Sequence, residues 1–403
     1  MPMLQNYHHF GGRHWETGSL HNYYAYCNVL APHTGEPYSE ALFMGVAGGM
    51  VVGYFTFAYE GFDPHVALLT RNTFDPLSTM LARLGVVQNV MQTNKAEKGL
   101  TNLCETLEEG VPVIVWADMW SLPYNNVAYN EGMWGMMPLV IYGYDEATNA
   151  VFIADRANVG LTITTEELAA ARARVKKLKF RVMTLDQPDP DKLAAAVTAG
   201  IWDCINLFLE KPPKGSAQNW GIKALQHWAE LLTKPKQRLS WEKVFPAGHK
   251  MYAGLLTAFD HYGVTGIRDN AERELYADFL DEAALLLKKA PLHEVAGRFR
   301  ESSTAWRKLA EILLPDPITP FGQSRKLVQQ RQDLFLTQGN AAQGTIQQIN
   351  EELRTIRATM ATDFPLTPSE VTDQRSAIAE QLRQIGEIEL NAVTALRAIM
   401  AAK

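Results

Sequence analysis

The residues best suited to chemistry crowd into one stretch, Gly12-Arg13-His14-Trp15-Glu16-Thr17-Gly18-Ser19-Leu20-His21-Asn22. A glycine turn runs there straight into a helix start, where unpaired N–H groups and a positive dipole end await a partner. A thiol in such a place acquires a depressed pKa, and an anion finds donors. The residue leading the helix is instead Trp15, whose indole offers only a weakly acidic N–H and cannot attack anything. Ser19 lies one turn on, on the same face, with His8, His9, His14 and His21 nearby in sequence. A serine nucleophile needs an imidazole within hydrogen-bond reach, and serines in the first turns of a helix commonly satisfy local backbone instead. Ser19 with His14 is therefore the secondary catalytic candidate. A metal site is not indicated, because His14 and His21 are two turns apart rather than one and no Cys or carboxylate joins them at a zinc spacing.

Further polar residues follow in order: Ser39-Glu40, a Gly-rich run through Gly49, Asp118 with Leu122-Pro-Tyr124, and Gly143-Tyr-Asp145 leading to Asp155. Together with His14-x-Glu16-Thr17, this order resembles the N-terminal domain of butirosin biosynthesis protein H-like acyltransferases, a C39-like branch of the papain-like cysteine enzymes. The resemblance covers Gly12 to Leu185, and the helical remainder resembles the domain of unknown function that often follows it. In that family the opening run looks like His-Cys-Glu-Thr-x-x-Leu-x-Asn. The resemblance implies a thiolate that accepts an acyl group, an imidazole that moves the proton and a carboxylate that orients the imidazole.

Here the place of the Cys holds Trp15. The family's His sits six residues before the Gly of its Gly-Tyr-Asp turn, which falls on Met137, a thioether that cannot move a proton. The orienting acid falls on Asp155, which is present. Large apolar side chains thus replace two polar ones, and indole and thioether pack well together. The expectation is a degenerate site in which Trp15 and Met137 lie near one another and plug the old pocket.

Glu16, Thr17 and Glu40 could hold an amine, but they equally stabilise a helix start through its dipole and free N–H groups. Asp155, followed by Arg156, reads as a paired buried carboxylate once its imidazole is gone. Asp118, Tyr124 and Trp134 are the remaining binding candidates; the aromatic residues among them could line a groove, although packing is their commoner fate.

The elements that must position these residues form an α+β pattern. A central helix from Trp15 to Leu30 is followed by an apolar run, Ala41 to Tyr59, long enough for a membrane span but broken by glycines, whose β-branched and aromatic part after Met50 reads as a buried strand. A strand is expected over Val66 to Thr70, a helix capped by Asp75 over Pro76 to Leu84, and a helix from Lys95 to Glu109. Val111 to Ala117 reads as a buried strand, Leu139 to Tyr142 and Ala150 to Ala154 as a hairpin, Thr164 to Val175 as a capped helix and Lys179 to Leu185 as a last strand. This is a papain-like mixed sheet domain over residues 1–187.

Asp186-Gln-Pro-Asp-Pro190 is a linker, since closely spaced prolines deny both helix and ladder. Residues 191–403 read as an all-α domain, with 321–403 as a long helical hairpin. Its first helix carries the heptad-spaced stripe Ile346, Ile349, Leu353, Ile356 and Met360, and its second starts at the capping box Thr367-Pro-Ser-Glu370.

The chain has 403 residues, 47% hydrophobic and 20% charged, with net charge −6. That balance suits a soluble protein of two or three domains and argues against a nucleic-acid partner. Cys27, Cys104 and Cys204 are too scattered for disulfides or zinc, and no basic-then-apolar leader opens the chain, so a reducing cytoplasm is expected. The functional expectation is a non-catalytic member of the acyltransferase family acting in binding, scaffolding or assembly. The alternative is an acyl or aminoacyl transferase of secondary metabolism, moving a group from a carrier-protein thioester to an amine through a relocated site. Expected partners are a second copy or another protein docked on the C-terminal helices, and a small-molecule or acyl-carrier ligand. No cofactor, metal, nucleic acid or membrane is expected.

Overall fold

The computed structural model describes residues 2–402 except 128–134, 262 and 264. The first half contains α1 (Trp15–Tyr26), α2 (Glu40–Val46), β1 (Met50–Phe57), β2 (His65–Arg71), α3 (Pro76–Arg83), β3 (Gln88–Met91), α4 (Ala96–Glu108), β4 (Val113–Asp118), β5 (Met136–Asp145), β6 (Ala150–Ala154), β7 (Leu161–Ile163), α5 (Thr165–Ala173) and β8 (Val182–Leu185). Helices follow: α6 (Leu193–Ile205), α7 (Gly221–Thr233), α8 (Trp241–Val244), α9 (His249–Phe259), α10 (Arg273–Leu287), α11 (Leu292–Leu313), α12 (Thr319–Gln338), α13 (Gln343–Thr359) and α14 (Pro368–Ala401). This is the α+β class read from the sequence, ending in long helices.

Two compact units emerge, and they interleave along the chain. The first comprises Met1–Phe43, Asp75–Ala196 and Gln332–Gln348; the second comprises Met44–Phe74, Val197–Arg331 and Ile349–Lys403. The composition break at Asp186–Pro190 therefore lies inside the first unit.

In the first unit a six-stranded sheet runs β3-β8-β4-β5-β6-β7. The sheet expected to be mixed is antiparallel at every ladder. Strand β4 is buried along its whole length, as its continuous apolar run predicts. Helix α1 packs along β5 and is buried on nearly all sides, from Trp15 to Ala25, rather than on one face. It begins from a tight approach: a Cβ on Gly12, which has φ +117°, would lie 2.5 Å from the Gly18 Cα. Only glycines let that loop fold back on the first turn.

Helix α5 starts at a reciprocal capping box, Thr164 with Glu167. Asp75 does not do the same for α3; it sits at φ +46° and makes no side-chain cap. Strands β3 and β7 are additions to the sequence reading, being short segments without an apolar alternation to announce them. The outer edge of β7 is closed by an asparagine. The Asn340 amide accepts from the Thr162 N–H at 2.8 Å and donates to the Thr162 carbonyl at 2.7 Å, as a neighbouring strand would.

In the second unit β1 and β2 form a hairpin packed against α7 and α9 respectively. The apolar run that begins at Ala41 becomes α2 and then β1, with Met50 to Tyr54 buried. Among the described residues one helical stretch, Pro190–Glu210, is long and apolar enough to cross a membrane, with a mean hydropathy of 1.4, and half of that window is buried inside the chain.

The expected helical hairpin gives way to a different arrangement. Helix α14 starts at the Thr367–Glu370 capping box but lays its apolar stripe mainly on α11 and α7 rather than on α13. The heptad stripe of α13 is itself covered within the chain, Ile346 to Met360 being 2–8% exposed. A stripe states that a helix has a partner without stating which one. It is therefore not a free docking surface.

Two features hold this unit together. The first is the approach of α2 to α6, where a Cβ on Gly200 would lie 2.0 Å from the Gly45 carbonyl oxygen. A backbone atom cannot swing aside, so Gly200→Ala is expected to lower unfolding free energy by about 1–3 kcal/mol or more, measured by denaturant titration. A change within experimental error would show that the helices slide apart freely.

The second is a fully buried ion pair. Arg273 donates to Glu389 Oε1 at 2.6 Å and Oε2 at 3.0 Å, and its third nitrogen donates to the carbonyls of Val51, Thr70 and Ala271. Glu389 also accepts from Ser302 and from the Trp306 indole, both at 2.7 Å. The pair thus ties α14 to α10 and α11 through Glu389, and to the β1–β2 hairpin through Arg273.

Candidate functional site

The start of α1 is closed by a carboxylate from its own chain. Glu40, first residue of α2, accepts from the Arg13 N–H at 2.6 Å, the His14 N–H at 3.0 Å and the Thr17 hydroxyl at 2.7 Å. An anion is what the positive end of a helix attracts, and here it is supplied internally. Glu40 and Thr17 are thus brought together with His14, which is buried. Glu16 lies beside them on the first turn, half-buried.

Trp15 is 4% exposed, and what faces it is a guanidinium. The Arg156 Cζ lies 3.8 Å from the Trp15 ring centre and 5.2 Å from that of Phe335. The same side chain donates to Asp155 Oδ1 at 3.4 Å and to the Asn125 side-chain oxygen. Arg156 is nearly buried, so this stacking on an indole is the desolvated, stronger form of the contact. The Trp15 Nε1 has no hydrogen-bond partner among the described residues.

Asp155 follows β6 and is buried. Its Oδ2 accepts from the Tyr124 hydroxyl at 3.0 Å. Burial first, then the neighbouring carboxylate, hold the Tyr124 phenol well above its ordinary pKa, so it stays a neutral donor. Asn22, in the motif position after Leu20 and His21, donates to the carbonyls of Gly11 at 2.8 Å and Asp155 at 3.4 Å, latching the leading loop to the end of β6. The acid therefore orients a phenol and a guanidinium. Tyr124→Phe leaves that buried oxygen without its donor and is expected to cost about 1.5–3 kcal/mol in thermal or chemical unfolding. A neutral result would mean that water reaches Asp155.

Met137 lies on β5 opposite Ala117 and is half-buried. Ser19 donates its hydroxyl to the carbonyl of Pro138, the next residue, at 3.3 Å. The α1 face bearing Ser19 thus meets β5 beside Met137. Among the described residues the Ser19 hydroxyl bonds that carbonyl and no imidazole. His21 is tied to the Tyr38 carbonyl at 2.8 Å and His8 to the Asn6 carbonyl at 2.6 Å. The His9 ring lies tilted against His8, with centroids 4.3 Å apart, and burial and its histidine neighbours lower its pKa.

Asp118 ends β4 opposite Met136, one residue along from Met137's partner Ala117. It accepts from Ser121 at 2.7 Å and from the Gly135 N–H at 2.8 Å, and pairs with Arg174 at 2.8 Å, which pins the chain leaving β4. Trp134 lies outside the described residues. None of the three cysteines is activated: burial pushes the Cys204 thiol up to about 12 and desolvation pushes Cys27 up to about 11, while Cys104 is also raised. No group of three or more His, Cys, Asp or Glu arranged for a metal occurs among the described residues.

Arg156 was legible beside Asp155 as its charge partner, but its place over Trp15 was not, nor was the part played by Asn125. Phe335 had no local signal at all, since it comes from a distant helix that joins this unit only in three dimensions.

Residues 14–156 match the family described as Butirosin biosynthesis protein H, N-terminal. Residues 166–316 match a Domain of unknown function (DUF4872). The chain thus carries a butirosin biosynthesis protein H N-terminal domain followed by that second domain. No curated protein matches it.

Proposed function

We propose that this chain is a non-catalytic member of the acyltransferase family to which its N-terminal domain belongs, retained in the cytoplasm for binding or assembly. The observation that carries this reading is the Trp15–Arg156 stack at 3.8 Å, which fills the position where relatives are expected to keep their thiol. Met137 at the position of the imidazole, and Ser19 bonded to a backbone carbonyl, support it. An acyl-transfer site needs a nucleophile and a base in contact, whereas among the described residues the Ser19 hydroxyl meets a backbone carbonyl. The binding role includes a small-molecule or acyl-carrier ligand, or a protein partner.

The test is incubation of the whole chain with an acyl thioester, followed by intact-mass and peptide mass spectrometry. The expected result is an unmodified protein that releases no thiol above the uncatalysed rate. A stoichiometric acyl adduct on any Ser or Cys, lost on adding an amine, would replace this reading with a transferase working through a relocated site.

A further inference from the structure

The six-stranded sheet has two outer edges, and the chain treats them differently. At β7 the Asn340 amide occupies both backbone groups of Thr162. At the opposite end, among the described residues, β3 pairs with β8 alone. The Asp186 N–H donates to the Val87 carbonyl at 3.0 Å, which puts residues 87, 89 and 91 in the bonded positions toward β8. By the alternation of antiparallel pairing, Gln88 and Val90 turn their N–H and carbonyl groups outward. All four residues of β3 are exposed, and Val87, Val90 and Met91 rank among the exposed large apolar side chains.

A strongly basic segment lies at the far end of this strand. Residues 172–181 read Arg-Ala-Arg-Val-Lys-Lys-Leu-Lys-Phe-Arg, without one acidic residue, in a chain whose net charge is −6. Arg174 is paired with Asp118, whereas Lys176, Lys177, Lys179 and Arg181 form no ion pair among the described residues. The segment is fixed to the strand rather than loose beside it. Gln92, just past β3, donates to the Lys177 carbonyl at 2.9 Å and accepts from Arg181 Nε at 2.8 Å.

We infer that β3 is a docking edge for an extended, acidic segment of a partner protein, which adds as a seventh strand and places its carboxylates on Lys176, Lys177 and Arg181. The open ladder of Gln88 and Val90 supplies the backbone bonds, Val87, Val90 and Met91 the apolar contact, and the basic segment the choice of charge. Lysines beside an edge also deter pairing with another basic edge, so the same residues that admit an acidic strand act against aggregation. The inference is independent of whether the Trp15 site is inert.

The experiment is fluorescence polarisation with a short labelled peptide of alternating valine and threonine that ends in a run of glutamates. Binding with a Kd below about 1 mM is expected, weakening with salt. Val90→Pro removes an outward N–H without touching a bond to β8, and Lys176→Glu with Lys177→Glu inverts the charge; each is expected to weaken binding about tenfold or more. Circular dichroism checks that the variants fold, and the same peptide with N-methylated amides tests the ladder on the unaltered protein. No binding at that limit, equal binding of a lysine-ended peptide, or indifference to the charge inversion and to N-methylation overturns the inference. So does a dimer in sedimentation equilibrium that Val90→Pro dissolves, since the edge would then be taken by a second copy.

Discussion

Glu389→Gln is expected to lower the unfolding free energy by about 3–5 kcal/mol, a loss of stability out of proportion to its one-atom change. Both Glu389 and Arg273 have fully buried side chains, so the guanidinium cannot recover hydration when its counter-charge goes. The neutral amide also offers only one acceptor to Arg273, Ser302 and Trp306, and brings an N–H₂ group with no acceptor facing it. Replacing both members of a buried pair with apolar residues is often neutral, but here it would not be. Arg273 also serves the carbonyls of Val51, Thr70 and Ala271, which would be left buried and unsatisfied.

The measurement is the melting temperature by calorimetry or fluorescence, with a drop on the order of 10 °C expected. Arg300→Ala makes the control. Its partners Asp278 and Asp281 are closer in the primary structure and equally well placed, but the cluster is partly exposed and is worth less than about 1 kcal/mol per pair. If the two variants melted alike, the buried pair would have no special standing.

Trp15→Ala is expected to destabilise the protein by about 3–5 kcal/mol, the range for truncating a large buried aromatic. It removes the ring under Arg156 and leaves a guanidinium whose apolar contact is gone on one side. A catalytic residue in an open cleft behaves the other way, because removing it costs activity and little stability. Denaturant unfolding of Trp15→Ala beside the parent therefore reports directly on whether the position is packing. A loss below about 1 kcal/mol, the size of a surface substitution, would indicate an open cleft there and weaken the non-catalytic reading.

Much of the scaffold was readable one segment at a time. The continuous apolar run that becomes β4, the capping boxes at Thr164 and Thr367, and the helices α3, α4 and α5 all rest on interactions within a few residues. Strand β3 escaped because it is exposed on both faces and so has no apolar alternation to betray it. The helical hairpin expected over 321–403 gave way because α14 found better neighbours in α11 and α7.

The candidate site divides along the same line. That Trp15 cannot attack and Met137 cannot carry a proton follows from side-chain chemistry, which is a property of each residue wherever it sits. The amino-acid order by itself thus determined the α+β class, most of the helices and strands, and the absence of reactive groups at two positions. Only the tertiary structure decided that Arg156 lies over Trp15, that Phe335 joins it from a distant helix, that Glu40 closes the start of α1, and that Asn340 bonds one sheet edge while β3 at the other pairs, among the described residues, with β8 alone. The reason is that periodicity and caps encode which face is buried and where a helix begins, while the identity of the covering residue is settled by packing between segments far apart in the chain.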